Sequence, residues 1–304
     1  MKVFIAFVLA AFLTPAVAQV QGGIPGVVAP GAKVELVQEG FVFTEGPIGT
    51  ANGELIFSDL RTSRIYRLDA KGAVAMVREG SNAANGLALA KNGDILAAES
   101  AGKRISRIGP SGPAVTLTQG SSQRPLLDPN DLIADANGGI YFTDSVRPVV
   151  LERKVYVYYL AAGAREPLVI DDELHRPNGL ALSRNGKTLY VGNSVSDFVW
   201  AYDVQADGTV KNKRAFIRLN DIPPGKESGA DGMAVDRADR IYVTTILGVQ
   251  VFDKTGRYLG TIRVPRQPAN IAFSGPGKRT LYITAREGLY RVRMLAQGPE
   301  RLGK

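Results

Sequence analysis

The sequence contains no cysteine and only one histidine, His175, among its 304 residues. Without cysteine there can be no disulfide framework, no thiol nucleophile and no zinc site built on thiolates. A single histidine excludes a catalytic histidine pair and disfavours copper or zinc, which bind well to imidazole. Any metal centre in this chain must therefore be built mainly from oxygen ligands.

Long apolar runs are also scarce, and the one extended example lies at the N-terminus. In "MKVFIAFVLAAFLTPAVAQ", Lys2 precedes an apolar stretch too short to span a bilayer, and the small residues "AVA" end at Ala18. This pattern is typical of a secretory signal peptide, residues 1–18, followed by a single domain of residues 19–304. We expect a periplasmic or secreted protein without a membrane span after cleavage, and an uncleaved membrane anchor is the alternative.

Blocks of like charge are absent as well. The chain has 37 Lys and Arg against 29 Asp and Glu, a formal net charge of +8, but the basic residues are scattered in phrases such as "RTSRIYR" and "GKRISR". Basic residues that alternate with apolar ones are typical of strands with one solvated face. We therefore expect no nucleic-acid partner, while attraction of anionic ligands stays open.

A polar residue followed by a short apolar strand recurs six times. Each repeat continues with a turn and further strands, and the repeats are about 40 to 50 residues apart, which predicts an all-β, six-bladed β-propeller. The segments "KVELVQ" near residue 35 and "LYRVRM" near residue 291 are expected to share a sheet that closes the ring. The tail after Met294 is expected to be frayed. The repeats begin at Glu45, Asn85, Asn130, Asn178, Asp231 and Asn270.

The first residue of each repeat, here called the slot residue, carries a side-chain oxygen in all six cases. Inner strands of a propeller line its channel, so equivalent positions converge on the axis. One Glu and one Asp balance the charge of a divalent cation, and Asn adds neutral oxygens, as calcium prefers. Manganese fits too, and magnesium fits less well because it resists dehydration. The alternative is that the slot residues only begin turns, since Asn before Gly is common turn chemistry.

Five phrases occur in the order found in a known family. They are "EGP" at Glu45, "PND" at Asn130, "RPNGLALSRNGKTLYV", "DGMAVD" and "RTLYITAREGLYRVRM". From about residue 35 to 294 the chain resembles the senescence-marker-protein, gluconolactonase and luciferin-regenerating-enzyme family. The resemblance implies a six-bladed propeller with a divalent metal, usually calcium, and a small lactone or ester as substrate.

The same resemblance implies roles for particular residues. Glu45, Asn178 and Asp231 would be metal ligands, and Asn130 a ligand or substrate contact. Asp231 would also be the general base or nucleophile. Further candidate substrate contacts are Asn85, Asn270, His175 and Glu99.

Three departures from the family leave the substrate open. Ser100 follows Glu99 where bacterial members commonly have histidine, Asp128 stands where mammalian members have arginine, and "YFTDSVRPVVLERKV" lacks the usual "DPPYG". The leading hypothesis is a metal-dependent lactone hydrolase. The alternatives are a phosphotriesterase or arylesterase with the same metal site, or a non-catalytic propeller, because "IYVTTILGVQVFDKTGRYLGTI" also resembles NHL-type repeats.

Overall fold

The structure is a computed structural model that describes residues 18–146 and 154–300. The expected signal peptide lies outside the described residues except for Ala18, which begins the first strand. Within the described ranges, no helix is both long and apolar enough to cross a membrane. The fold of these residues is almost entirely β.

Within the described residues, twenty-five strands form six antiparallel sheets, which are the six predicted blades. Blade 1 consists of β3 (Thr44–Gly49), β4 (Leu55–Asp59), β5 (Arg64–Leu68) and β6 (Val74–Glu79). Blade 2 consists of β7 (Ala84–Leu89), β8 (Ile95–Glu99), β9 (Arg104–Ile108) and β10 (Val115–Thr118). Blade 3 consists of β11 (Pro129–Ala134), β12 (Ile140–Asp144), β13 (Tyr156–Leu160) and β14 (Leu168–Asp171).

Blades 4 and 5 have the same four-stranded order. They are β15 (Pro177–Leu182), β16 (Thr188–Asn193), β17 (Phe198–Val204) and β18 (Val210–Arg218), then β19 (Met233–Val235), β20 (Ile241–Thr245), β21 (Gly248–Phe252) and β22 (Tyr258–Ile262). Blade 6 combines β23 (Asn270–Ser274), β24 (Thr280–Ala285) and β25 (Gly288–Arg293) with the N-terminal β2 (Ala32–Glu39) and β1 (Ala18–Val20). A 3-10 turn, Pro276–Lys278, connects β23 to β24.

The core lies between neighbouring blades. Inner strands such as β7 are buried along their whole length, whereas the outermost strand of blade 1, β6, is largely exposed. Ile48 of blade 1 packs in one apolar cluster with Leu87 and Ala97 of blade 2, and equivalent clusters follow around the ring. Burial of such side chains is the main stabilising contribution, because each removes apolar surface from water.

The N-terminal strand closes the ring, as the sequence predicts. β2 pairs antiparallel with β25, with Val34 opposite Val292 and Leu36 opposite Tyr290. Blade 6 is therefore built from both ends of the chain. This pairing closes the ring of blades.

The expectation of a frayed tail after Met294 is wrong for residues 295–300. The backbone N–H groups of Leu295 and Ala296 donate to the carbonyl oxygen of Val27 at 2.9 and 3.1 Å. Met294 and Ala296 are buried in the same apolar cluster as Ile24 and Val27. Apolar burial and these backbone hydrogen bonds hold the segment; of the tail, residues 301–304 lie outside the described range.

Candidate metal and substrate site

The six slot residues lie at the beginning of the six inner strands. Asp231 is partly exposed, and the other five side chains are buried. In blades 1 to 4 the strand has a β-bulge here, so that two of its residues face one residue of the neighbouring strand. Asp231 and Gly232 likewise both hydrogen-bond to Thr244 through the backbone. A bulge bends a strand and re-aims a side chain, which suits a site at the channel.

The glycine after a slot residue brings neighbouring blades into backbone contact. A Cβ at Gly179 would overlap the carbonyl oxygen of Asp231, and one at Gly46 would overlap the carbonyl oxygen of Asn85. These glycines are therefore fixed by packing between blades. In blades 1, 2, 4 and 5, where a glycine follows the slot residue, the contact holds that residue beside the inner strand of the next blade.

Glu45 is the buried carboxylate of this site. Its Oε2 accepts hydrogen bonds from Gly46 N at 3.1 Å and from Asn270 Nδ2 at 3.2 Å. Burial, together with the negative charges of Asp231 and Asp131, raises the pKa of Glu45 from 4.5 to about 8. The three acidic side chains are thus electrostatically coupled, and a cation would relieve their repulsion.

Asp131 is a site residue that the sequence analysis missed. It follows Asn130 in "PND" and occupies the position that holds glycine in the phrases "EG", "NG" and "DG". Its Oδ1 accepts a hydrogen bond from Leu132 N at 2.9 Å and lies against Gly86 of the preceding blade. The departure from glycine was the signal that could have identified this carboxylate in blade 3.

Asn178 presents a carbonyl oxygen that receives no hydrogen bond from the described part of the chain. Its Nδ2 donates to Ser194 Oγ at 3.0 Å, and this hydroxyl donates to the carbonyl oxygen of Ala230 at 2.7 Å. The amide orientation is thereby fixed. Asn178 Oδ1 is buried and without a partner among the described residues. Such an oxygen costs about 1–3 kcal/mol of folding free energy unless it binds a donor or a cation.

These groups fit a hard divalent cation. Glu45 and Asp231 supply negative charge and Asn178 supplies a neutral oxygen, which is a donor set that calcium prefers. No three His, Cys, Asp or Glu side chains of the described residues are grouped closely enough to hold a metal by themselves. Amide oxygens would therefore have to complete the ligand set.

Asn85 and Asn130 have side chains that are buried but not hydrogen-bonded among the described residues. Both side chains are buried near the channel, at 6% exposure. The side chain of Ser58 donates to the backbone carbonyl of Asn85 at 2.8 Å, which leaves the Asn85 amide group itself available. Across the described part of the chain, neither amide side chain has a hydrogen-bond partner, so both can donate and accept.

Asn270 and Glu99, two other expected substrate contacts, are engaged by the protein. Asn270 Oδ1 accepts from Ile271 N at 2.9 Å, while its Nδ2 donates to Glu45. Glu99 accepts from Asn82 Nδ2 at 2.7 Å, Arg104 Nε at 2.6 Å and Ser106 Oγ at 2.5 Å. These contacts give Asn270 a role in orienting Glu45, and they give Glu99 a role in structure.

Polar residues at the ends of the second strands hold the loops that enter the inner strands. Asp59 accepts from Val42 N and Phe43 N at 3.0 and 2.9 Å. Asp144 accepts from Leu127 N and Asp128 N, and burial raises its pKa to about 6. Glu99 belongs to this same set of strand ends.

His175 lies on the surface, in the loop between β14 and β15. Its neighbour Arg176 contacts Glu227 through Nη1 and Oε2 at 3.0 Å, which links this loop to the segment before β19. The structure thus places His175 three residues from Asn178 but not within the buried group of slot residues.

The chain belongs to the SMP-30/gluconolactonase/LRE-like family, whose sequence pattern matches residues 43–287. A gluconolactonase from Zymomonas mobilis is 32% identical over 178 residues, which cover 54% of this chain and 50% of that protein. Regucalcin from Gallus gallus is 28% identical over 163 residues, covering 50% of this chain and 53% of that protein. The chain thus spans about half the length of these curated relatives.

Solved structures show the same fold. A gluconolactonase from Xanthomonas campestris superposes with a TM-score of 0.78 at 25% identity, covering 93% of this chain and 99% of that one. A regucalcin from Agrobacterium tumefaciens, described as a calcium-binding protein, has a TM-score of 0.75 at 19% identity and covers 86% of this chain and 94% of that one. The six-bladed propeller is therefore shared along nearly the whole described chain.

Proposed function

We propose that this protein is a divalent-metal-dependent hydrolase that opens a lactone. Two observations carry the proposal: the buried carboxylate of Glu45 interacts with the negative charges of Asp231 and Asp131, and Asn178 Oδ1, also in the slot, is buried without a donor among the described residues. Membership in a family that includes gluconolactonases supports a lactone as the substrate class.

Glu45, Asn178 and Asp231 would hold the metal, with Asn130 as a further ligand or a substrate contact. When bound, a divalent cation supplies Lewis-acid polarisation of an ester carbonyl. Calcium is the favoured ion because the side chains offer carboxylate and amide oxygens and no sulfur. Manganese and magnesium are the alternatives.

The side chains around this group have separable tasks. Asp231, the partly exposed carboxylate, would accept a proton from the attacking water. The amides of Asn85 and Asn130 would orient the lactone, since both can donate to a ring or carbonyl oxygen. Asn270 keeps the carboxylate of Glu45 in place through its 3.2 Å hydrogen bond.

Hydrolysis of glucono-1,5-lactone by wild type and Asp231→Asn tests the proposal. We expect the variant to lose at least about a hundredfold in kcat/KM, because a general base contributes on that order. Asp69→Asn is the matched control, since Asp69 lies in a surface turn and accepts hydrogen bonds from Lys71 N and Ala73 N through Oδ1 alone, which asparagine can also do. A cooperatively folded Asp231→Asn protein with near wild-type turnover would contradict the role of Asp231 as the general base.

A further inference from the structure

A cavity of about 750 Å³ lies at the end of the inner strands opposite to the slot residues. It is lined where β7, β11 and β15 end, at Leu89, Ala134 and Leu182. Each of these residues is four positions beyond a slot residue, which corresponds to roughly 13 Å along an extended strand. The cavity is therefore separate from the candidate metal site.

Small residues in the surrounding turns keep this cavity open. The floor is apolar and includes Leu96, Ile140 and Leu160, which belong to the core between blades 2 and 3. Several lining residues of these turns are glycine or alanine, and a Cβ at Gly163 or Gly186 would meet nothing within 4 Å. The small lining residues include Ala90, Ala136, Gly138, Ala162, Gly163 and Gly186.

The rim of the cavity is strongly basic. Four cationic side chains line it, against one carboxylate, Asp135. That carboxylate already accepts hydrogen bonds from Asn137 N, Gly139 N and the hydroxyl of Tyr159. The cations are Lys91, Arg107, Arg165 and Arg184.

These cations are only weakly compensated by the protein. Arg107 and Arg184 approach Asp94 and Glu300 at 3.6 Å, longer than a hydrogen bond. Arg165 donates to the carbonyl oxygen of Thr116 at 2.8 Å, which leaves its charge unbalanced. Lys91 has no ion pair within residues 18–146 and 154–300. An anion entering this rim would gain attraction from several cations at once.

We infer that this cavity binds an amphipathic anion, a molecule with an apolar body and one carboxylate or sulfonate head. The apolar body would cover the floor, where it is removed from water, and the head would lie among the rim cations. A neutral molecule of the same shape would gain only the first contribution. A cation would be repelled.

Decanoate is the probe that tests this inference, with binding measured by calorimetry on the full chain. We expect one saturable site, weaker binding at higher salt, and weaker binding of decanol than of decanoate. Lys91→Glu combined with Arg165→Glu should weaken decanoate binding about tenfold or more, because two attractive charges become repulsive.

The matched control is Lys71→Glu combined with Lys254→Glu, which changes the net charge equally. Both lysines lie in exposed turns that do not line the cavity. This control should bind decanoate like wild type, and thermal unfolding checks that each variant is folded. Absence of saturable decanoate binding, equal weakening in both double variants, or equal binding of decanol and decanoate would overturn the inference. None of these measurements uses lactone hydrolysis, so a negative result for anion binding would not bear on the proposed hydrolase activity, or the reverse.

Discussion

Glu45 links the charge of the site to the stability of the fold. Its pKa, raised from 4.5 to about 8 by burial and by Asp231 and Asp131, means that the metal-free folded protein holds a proton that the unfolded chain releases near pH 4.5. Folding therefore takes up a proton between these two values. The linked stability is fully present below about pH 4.5 and is lost as the pH rises to about 8.

The first prediction concerns Glu45→Gln in the presence of a chelator. The free energy of unfolding of wild type should fall by a few kcal/mol between pH 6 and pH 9, because about 1.4 kcal/mol accompanies each unit of pKa shift. Glu45→Gln should remove most of that fall, as measured by urea denaturation. Glu166→Gln, a change of an exposed side chain, is the control that should keep the wild-type dependence. An unchanged slope in Glu45→Gln would contradict the assignment.

Glu99 separates a structural role from the substrate contact that the sequence analysis expects. Its carboxylate is 1% exposed and pairs with Arg104 at 2.6 Å. Glu99→Gln should lower the free energy of unfolding by about 1–3 kcal/mol, since it leaves a partly buried guanidinium without its counter-charge. Activity per folded molecule should be unchanged.

Glu79 provides the comparison for Glu99, because it too lies opposite an arginine on a neighbouring antiparallel strand. It contacts Arg64 at 2.9 Å, but its side chain is 65% exposed, so Glu79→Gln should change stability by less than about 0.5 kcal/mol. Thermal unfolding and KM for the lactone measure the two effects. A Glu99→Gln protein of unchanged stability but strongly raised KM would instead show that Glu99 contacts the substrate.

At the scale of elements, the glycines of the inner strands join one blade to the next. Gly179 has no positive φ, so alanine there would suffer from the contact with the Asp231 carbonyl and not from its own backbone conformation. We expect Gly179→Ala to lower stability by about 1–3 kcal/mol and to reduce lactone hydrolysis, because the Asp231 backbone must move.

Gly22→Ala is the control for Gly179→Ala. Gly22 likewise has no positive φ, and a Cβ there would meet nothing within 4 Å. This variant should unfold within about 0.5 kcal/mol of wild type. If urea denaturation showed equal losses of stability for the two substitutions, the close contact between blades at Gly179 would not be what makes alanine unfavourable there.

The repeated phrase predicted the inner strands and their first residues, but not what its glycine does. Five of the six slot residues lie in the strands that begin there, such as Asn85 in β7, and Asp231 lies two residues before β19. From the sequence, turn chemistry is the only role that this glycine suggests, and then as the alternative interpretation, because a sequence does not show distances between blades. For the same reason Asp131 was missed, because the bulge that pairs it with Asn130 depends on the register of β11 and β12.

At the scale of the whole molecule, the repeat number and the ring closure followed from the sequence. The alternation in "KVELVQ" and "LYRVRM" predicted the pairing of β2 with β25, which the structure confirms. The tail could not be predicted in the same way. Its burial depends on Val27, which is distant in sequence and comes close only when the ring has closed.

The central claim is that the slot residues form a divalent-cation site at which a lactone is hydrolysed. The most direct test follows proton release from glucono-1,5-lactone by the purified protein, first after chelation and then after calcium is added back, while thermal unfolding verifies the fold. We predict that hydrolysis is lost on chelation and restored by calcium, because Glu45, Asn178 and Asp231 then regain their ion. Undiminished hydrolysis by the chelated, folded protein would contradict the account.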